Sequence, residues 1–135
     1  MKFLPIIAEN PPNFAAIDAA FGVAGKAIIF AYGGAIYNPR KVAVTVELQA
    51  HEAVHCDRQA GNPDGWWRQY IDDVAFRCDE EVHAHRAEWA LYRKRHANPR
   101  KRSEYLNAIA NRLSGPLYGA RLNWQQARDL IERTT

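Results

Sequence analysis

The chain has 135 residues, of which 47% are hydrophobic and 24% are charged. These proportions are typical of a folded globular protein and exclude a disordered or low-complexity chain. The length predicts a single domain over residues 1–135 with a buried core. The chain contains two cysteines, which is too few for a disulfide-rich scaffold.

The formal net charge is +3, and the positive residues concentrate at positions 93–96 and 100–102. Such runs are typical of solvated helix ends, and no aromatic residues alternate with them as on nucleic-acid-binding surfaces. We therefore do not expect a nucleic-acid partner. The apolar run at residues 1–8 is short and contains Pro5, which does not fit a signal peptide. No segment approaches the roughly 18 apolar residues of a membrane helix, so we expect a cytoplasmic protein without a membrane partner.

Periodicity and turn residues predict a mainly helical α+β fold with a small N-terminal β-hairpin. The predicted helices cover residues 14–21, 42–60, 64–77, 79–97, 101–113 and 124–133. The predicted strands, residues 26–32 and 35–38, are rich in apolar and aromatic residues. Gly33 and Gly34 suit a two-residue hairpin turn between these strands.

Residues 51–55 have the sequence His-Glu-Ala-Val-His within the second predicted helix. On a helix of about 3.6 residues per turn, His51 and His55 lie on one face, where their imidazoles can share a metal ion. Zn²⁺ readily takes such nitrogen ligands. Glu52 is rotated by about 100°, which places its carboxylate beside the metal. There it can act as the general base for a metal-activated water, as in HExxH zinc hydrolases.

A catalytic zinc usually has three protein ligands and a water molecule. The metzincin extension requires Gly three residues and His six residues after the second histidine, where this chain has Arg58 and Gly61. That class is excluded, and the inverted HxxEH motif is absent. Asp72 and Asp73 would suit an aspzincin, but the residues around them lack the other features of that family. The third ligand is therefore expected to be an acidic residue on a later helix.

The predicted helix at residues 79–97 supplies such a residue. Glu81, His85 and Glu88 fall on one stripe of this helix, together with a small alanine that allows close helix packing. We predict Glu81 as the third ligand of a His₂Glu site that holds one Zn²⁺ ion. Glu80, about 100° away, is its first competitor. His85 could reach the metal or orient a ligand, whereas His83 lies off the stripe and is expected to be exposed.

Three segments together resemble small HExxH metallopeptidase-like proteins of the gluzincin type. They are Ile-Tyr-Asn-Pro at residues 36–39, the motif with Gln59, and residues 81–88. The resemblance covers about residues 26–90. It implies a zincin-like helical domain on which the hairpin packs. Compact proteins of this type are common in bacterial and prophage genomes, so the resemblance also implies an association with phage.

The resemblance implies a zinc metallopeptidase whose partner is a peptide or protein substrate. His51, His55 and Glu81 would be its zinc ligands and Glu52 its catalytic base. Enzymes of this type commonly stabilise the oxyanion with a Tyr or His, for which Tyr118, Tyr92 and His85 are the candidates.

The hairpin strand at residues 35–37 is expected to offer an edge to which an extended substrate can add. The alternative function is a metal-stabilised structural or interaction module without proteolytic activity. The substrate preference and the oligomeric state stay open.

Overall fold

The computed structural model describes residues 3–133 and has the predicted α+β fold, in which helices predominate. The helices are α1 (Phe14–Phe21), α2 (Val46–Gln59), α3 (Pro63–Asp72), α4 (Val74–Arg95), α5 (Pro99–Leu113) and α6 (Trp124–Glu132), with a 3₁₀ helix at Pro116–Tyr118. The strands are β1 (Ile6–Ile7), β2 (Phe30–Tyr32) and β3 (Ala35–Tyr37). Within the described residues, no helix is both long enough and apolar enough to cross a membrane.

The three strands form one sheet in the order β1-β3-β2, with β1 parallel and β2 antiparallel to β3. Tyr32 pairs with Ala35, so the predicted two-residue turn is confirmed. Gly33 has φ +64°, a backbone conformation that favours glycine. The expectation that β3 offers a free edge to a substrate is wrong, because β1 and β2 occupy both of its sides. The sequence did not predict β1, which has only two residues.

Side-chain caps explain two helix boundaries that differ from the prediction. α2 begins at Val46 because Thr45 is extended and its side chain accepts a hydrogen bond from the backbone N–H of Leu48. α3 ends at Asp72 because Asp73 leaves the helical conformation and caps α4 by accepting from the N–H of Phe76. The residues from Val74 to Arg77, which were predicted to end α3, therefore form the first turn of α4.

Among the described residues, the buried apolar side chains form two clusters. One cluster joins α4, α5 and α6, and the other joins α1, β2 and α3. α2 packs most extensively against α4. The buried face of α2 is mainly polar, with Glu47, His51, Glu52, His55 and Gln59 all buried beside Cys56. Burying polar groups is unfavourable unless they find partners, so this face requires complementary groups on its neighbours.

Gln59 joins the motif helix to the hairpin. Its Oε1 accepts a hydrogen bond from the N–H of Gly33 at 2.7 Å, and its Nε2 donates to the carbonyl of Ala31 at 2.9 Å. The indole N–H of Trp67 donates to the same carbonyl at 2.9 Å. Both ends of the Gln59 amide are therefore satisfied, and β2 is held at a fixed position against α2.

We predict that Gln59→Leu lowers the free energy of unfolding by about 1–3 kcal/mol, because the N–H of Gly33 loses its acceptor and the carbonyl of Ala31 loses one of its two donors. Chemical denaturation measures this change. The control is Gln125→Leu, at an exposed position of α6, which should change the free energy of unfolding by less than about 0.5 kcal/mol. Equal effects of the two substitutions would contradict the proposed role of Gln59.

Candidate metal centre

The carboxylate of Glu81 lies between the two motif histidines. Its Oε1 is 3.0 Å from Nε2 of His51 and 3.1 Å from Nε2 of His55. The histidines come from successive turns of α2, and Glu81 comes from the facing side of α4. All three side chains are buried. The structure thus brings together the three residues that the sequence singled out as metal ligands.

The donor atoms of this group suit a metal ion. Potential ligand atoms of His51, His55 and Glu81 all lie within 4.8 Å of one another. A tetrahedral zinc ion with bonds of about 2.0–2.1 Å separates its ligands by roughly 3.3 Å, close to the nitrogen–oxygen distances seen here. Two imidazoles and a carboxylate also form a common ligand set of catalytic zinc. These buried groups could therefore hold a metal ion.

The electrostatics of the centre keep Glu81 charged. Burial favours the neutral acid, but the nearby His55 and His51 outweigh it and hold the pKa of Glu81 well below its usual range. Burial likewise favours neutral His51, yet its hydrogen bonds to Glu81 and Glu88 raise the pKa of His51 well above its usual value. The centre thus stabilises a positive charge beside Glu81, and a divalent cation can supply such a charge.

Glu88 fixes the orientation of two histidines. Its Oε1 lies 2.8 Å from Nδ1 of His51 and 2.9 Å from Nδ1 of His85. Its other oxygen accepts a hydrogen bond from the hydroxyl of Tyr105 at 2.5 Å. A carboxylate can only accept hydrogen bonds, so both Nδ1 atoms carry the proton. With Nδ1 protonated, His51 can offer the Nε2 lone pair to a metal ion once Nε2 loses the proton that it donates to Glu81.

Potential ligand atoms of His51, His85 and Glu88 also lie within 4.8 Å of one another. This second group shares His51 with the first. The atom of His51 that lies near Glu88 is Nδ1. A neutral imidazole has only one nitrogen with a lone pair, so His51 cannot serve both groups in this form. We therefore interpret the second group as the support that orients His51, and the first group as the candidate metal centre.

Tyr70 holds the other oxygen of the Glu81 carboxylate. Its hydroxyl donates to Oε2 of Glu81 at 2.6 Å. Burial and the charge of Glu81 raise the pKa of Tyr70 well above its usual value, so the hydroxyl keeps its proton. This hydrogen bond leaves Oε1 of Glu81 as the oxygen that faces the histidines.

Contacts and exposure distinguish Glu81 from the other candidates for the third ligand. Glu80 accepts hydrogen bonds from Nε of Arg58 at 2.9 Å and from the indole of Trp66 at 2.7 Å, and belongs to neither group of candidate ligands. These bonds outweigh burial and lower the pKa of Glu80. His83 is exposed, as predicted. His85 lies beside His51 and contacts Glu88.

The three candidates for oxyanion stabilisation differ in whether they line the cavity that contains the histidines. Tyr118 and His85 line the cavity that contains the histidines. Tyr92 does not line this cavity, and its ring stacks on Tyr105 at 3.8 Å and on His96 at 4.1 Å. Tyr92 is therefore the wrong candidate, because α4 directs it towards α5.

Glu52 is buried in the same cavity but belongs to neither group of candidate ligands. Its Oε2 has no hydrogen-bond partner among the described residues. Burial raises the pKa of Glu52, the charges of Glu81 and Glu88 add to this effect, and His51 and His55 oppose it. A buried carboxylate with a free oxygen and a raised pKa is suited to accepting a proton.

Sequence reasoning missed the roles of three residues at this centre. Glu88 lies on the predicted stripe of α4, and that pattern could have indicated its contact with His51. Tyr70 and Tyr105 come from α3 and α5, and no spacing rule relates them to the motif. Tyr70 also packs in the core cluster that joins α1, β2 and α3.

Comparison of the chain with models of known families, with curated proteins and with solved structures finds no match.

We predict that Glu88→Gln weakens zinc binding by about 10- to 100-fold, because His51 loses the charged partner that orients it. Competition with a chromophoric chelator measures the affinity. The control is Glu104→Gln, at an exposed position of α5, which should leave zinc affinity unchanged. Unchanged affinity in Glu88→Gln, with a normal fold by circular dichroism, would contradict the role of Glu88.

Proposed function

We propose that this protein is a zinc-dependent hydrolase, most specifically a metallopeptidase. The observation that carries this proposal is the unpartnered carboxylate oxygen of Glu52, which shares a cavity with His51, His55 and Glu81. A purely structural metal site is closed by protein ligands and needs no such base. A three-residue ligand set beside a cavity instead leaves room for water and substrate.

Each residue then has a defined task. His51, His55 and Glu81 would hold the ion, and Glu52 would accept a proton from the attacking water and deliver it to the leaving amine. Zn²⁺ in such a site would lower the pKa of water towards about 7 and polarise the scissile carbonyl. The raised pKa of Glu52 supports its task, because a base works best when its pKa lies near the working pH.

Tyr118 is favoured over His85 as the donor to the developing oxyanion. Burial raises the pKa of Tyr118, so its hydroxyl keeps a proton that it can donate. Burial and the nearby charge of His51 lower the pKa of His85. Neutral His85 carries its only ring proton on Nδ1, which faces Glu88, and it has no second proton to donate.

The second candidate function is a metal-stabilised structural or interaction module. The depth of the centre favours it, since the candidate ligands are only 4–8% exposed. In that case the ion would hold α2 against α4, and Glu52 would have no chemical role. The two functions differ in what they predict for Glu52.

We predict that Glu52→Gln lowers peptide hydrolysis by about 100- to 10,000-fold while zinc content and thermal stability are retained. The substitution keeps the size of the side chain and removes its ability to take a proton. Hydrolysis of a broad peptide library, followed by mass spectrometry, measures the effect. Asp57→Asn, at an exposed position on the same helix, should retain full activity.

If the zinc-loaded wild type cleaves no peptide above the level of Glu52→Gln, the metallopeptidase proposal is wrong and the structural module is supported.

A further inference from the structure

The cavity that contains the candidate metal centre continues into an apolar compartment. Beyond the histidines and carboxylates, its lining residues are mainly aliphatic and aromatic. α1, the segment before β2, and α3 all contribute to this wall, with Phe21, Ile28, Ile29, Trp66 and Trp67 as its large side chains. Leu117, which is 47% exposed, lies where the cavity meets solvent.

Charge is distributed unevenly along this cavity. The acidic residues that line it are Glu52, Glu81 and Glu88, and all three lie close to the histidines. Arg112 is the only arginine or lysine among the described lining residues, and its side chain lies on the exposed surface of α5. A charged group placed against the tryptophan and isoleucine wall would therefore lose its hydration without gaining a partner.

The size of the cavity limits what can enter it. Its volume is about 250 Å³. An apolar cavity of about 150 Å³ is large enough to bind benzene, whereas pockets for drug-sized ligands begin at about 300 Å³. This volume includes the space beside the histidines, so the apolar compartment has room for one large side chain and not for an extended group of several residues.

We propose that the compartment binds a single large apolar or aromatic side chain of the substrate, next to the bond that is cleaved. This inference rests on the proposed hydrolase function and adds the class of substrate. Peptides with Phe, Leu or a similar residue at that position would be preferred over those with Lys, Asp or Gly. The preference follows from burial of apolar area, which contributes about 25 cal/mol per Å².

Ile29 is the most suitable residue for a test. It lines the cavity and is half-buried, yet it does not belong to either apolar core cluster. Its substitution therefore changes the wall of the compartment more than the packing of the fold. Ile6 is a matched control, because it is also an isoleucine, is 45% exposed, and lies on β1 outside the cavity.

The first experiment measures binding without turnover. Zinc-loaded Glu52→Gln protein is titrated with N-acetyl-phenylalanine amide and with N-acetyl-lysine amide, and NMR chemical shifts give both affinities. We expect the phenylalanine compound to bind at least about tenfold more tightly. Ile29→Asp should remove most of this difference and Ile29→Ala part of it, while Ile6→Asp leaves it unchanged. Circular dichroism identifies any variant that fails to fold.

Equal affinity for the two compounds would overturn the inference, and so would a preference that both Ile29 variants retain.

The second experiment distinguishes failure of this inference from failure of the proposed hydrolase function. Wild-type protein is incubated with a peptide library, and the residues flanking each cleaved bond are counted. Cleavage without an apolar preference overturns the inference alone. Apolar binding without any cleavage supports the compartment and overturns the proposed hydrolase function.

Discussion

A buried carboxylate between two imidazoles determines how the two central helices of this protein meet. Glu81 on α4 reaches His51 and His55 on α2, and none of the three is well exposed to water. Removing such groups from water is costly, and the cost is offset only when each charge faces an opposite charge or a hydrogen-bond donor. The polar face of α2 and the stripe of Glu81, His85 and Glu88 on α4 are thus complementary. A divalent cation between them would balance the negative charge more completely than a shared proton does.

The rest of the fold keeps this contact in one geometry. Tyr70 from α3 holds one oxygen of Glu81, and Tyr105 from α5 holds Glu88, which in turn orients His51. Residues of α3, α4 and α5 therefore all help to position the candidate ligand atoms. Such support keeps the ligands close to the geometry that a metal requires, and it reduces the reorganisation needed when the ion binds. Gln59 extends the same support to the hairpin, so the apolar compartment also has a fixed position relative to the centre.

The sequence predicted those parts of the structure that depend on regular spacing. Helical periodicity placed Glu81 on the face of α4 that meets the motif, and the structure has this arrangement. The sequence could not predict the hydrogen bonds of Tyr70 and Tyr105, because these depend on how separate helices pack. It also missed β1, whose two residues are too few to show an alternating pattern. The boundary between α3 and α4 was misplaced because Asp73 ends one helix and caps the next within a continuous run of helix-forming residues.

The most direct test of the metal centre compares two neighbouring glutamates. Zinc content is measured by mass spectrometry in protein purified without a histidine tag, for the wild type, Glu81→Gln and Glu80→Gln. Both residues are buried on α4, but only Glu81 faces His51 and His55. The proposed centre predicts one equivalent of zinc in the wild type and in Glu80→Gln, and little or none in Glu81→Gln. Full zinc content in folded Glu81→Gln, or none in the wild type after incubation with zinc, would contradict it.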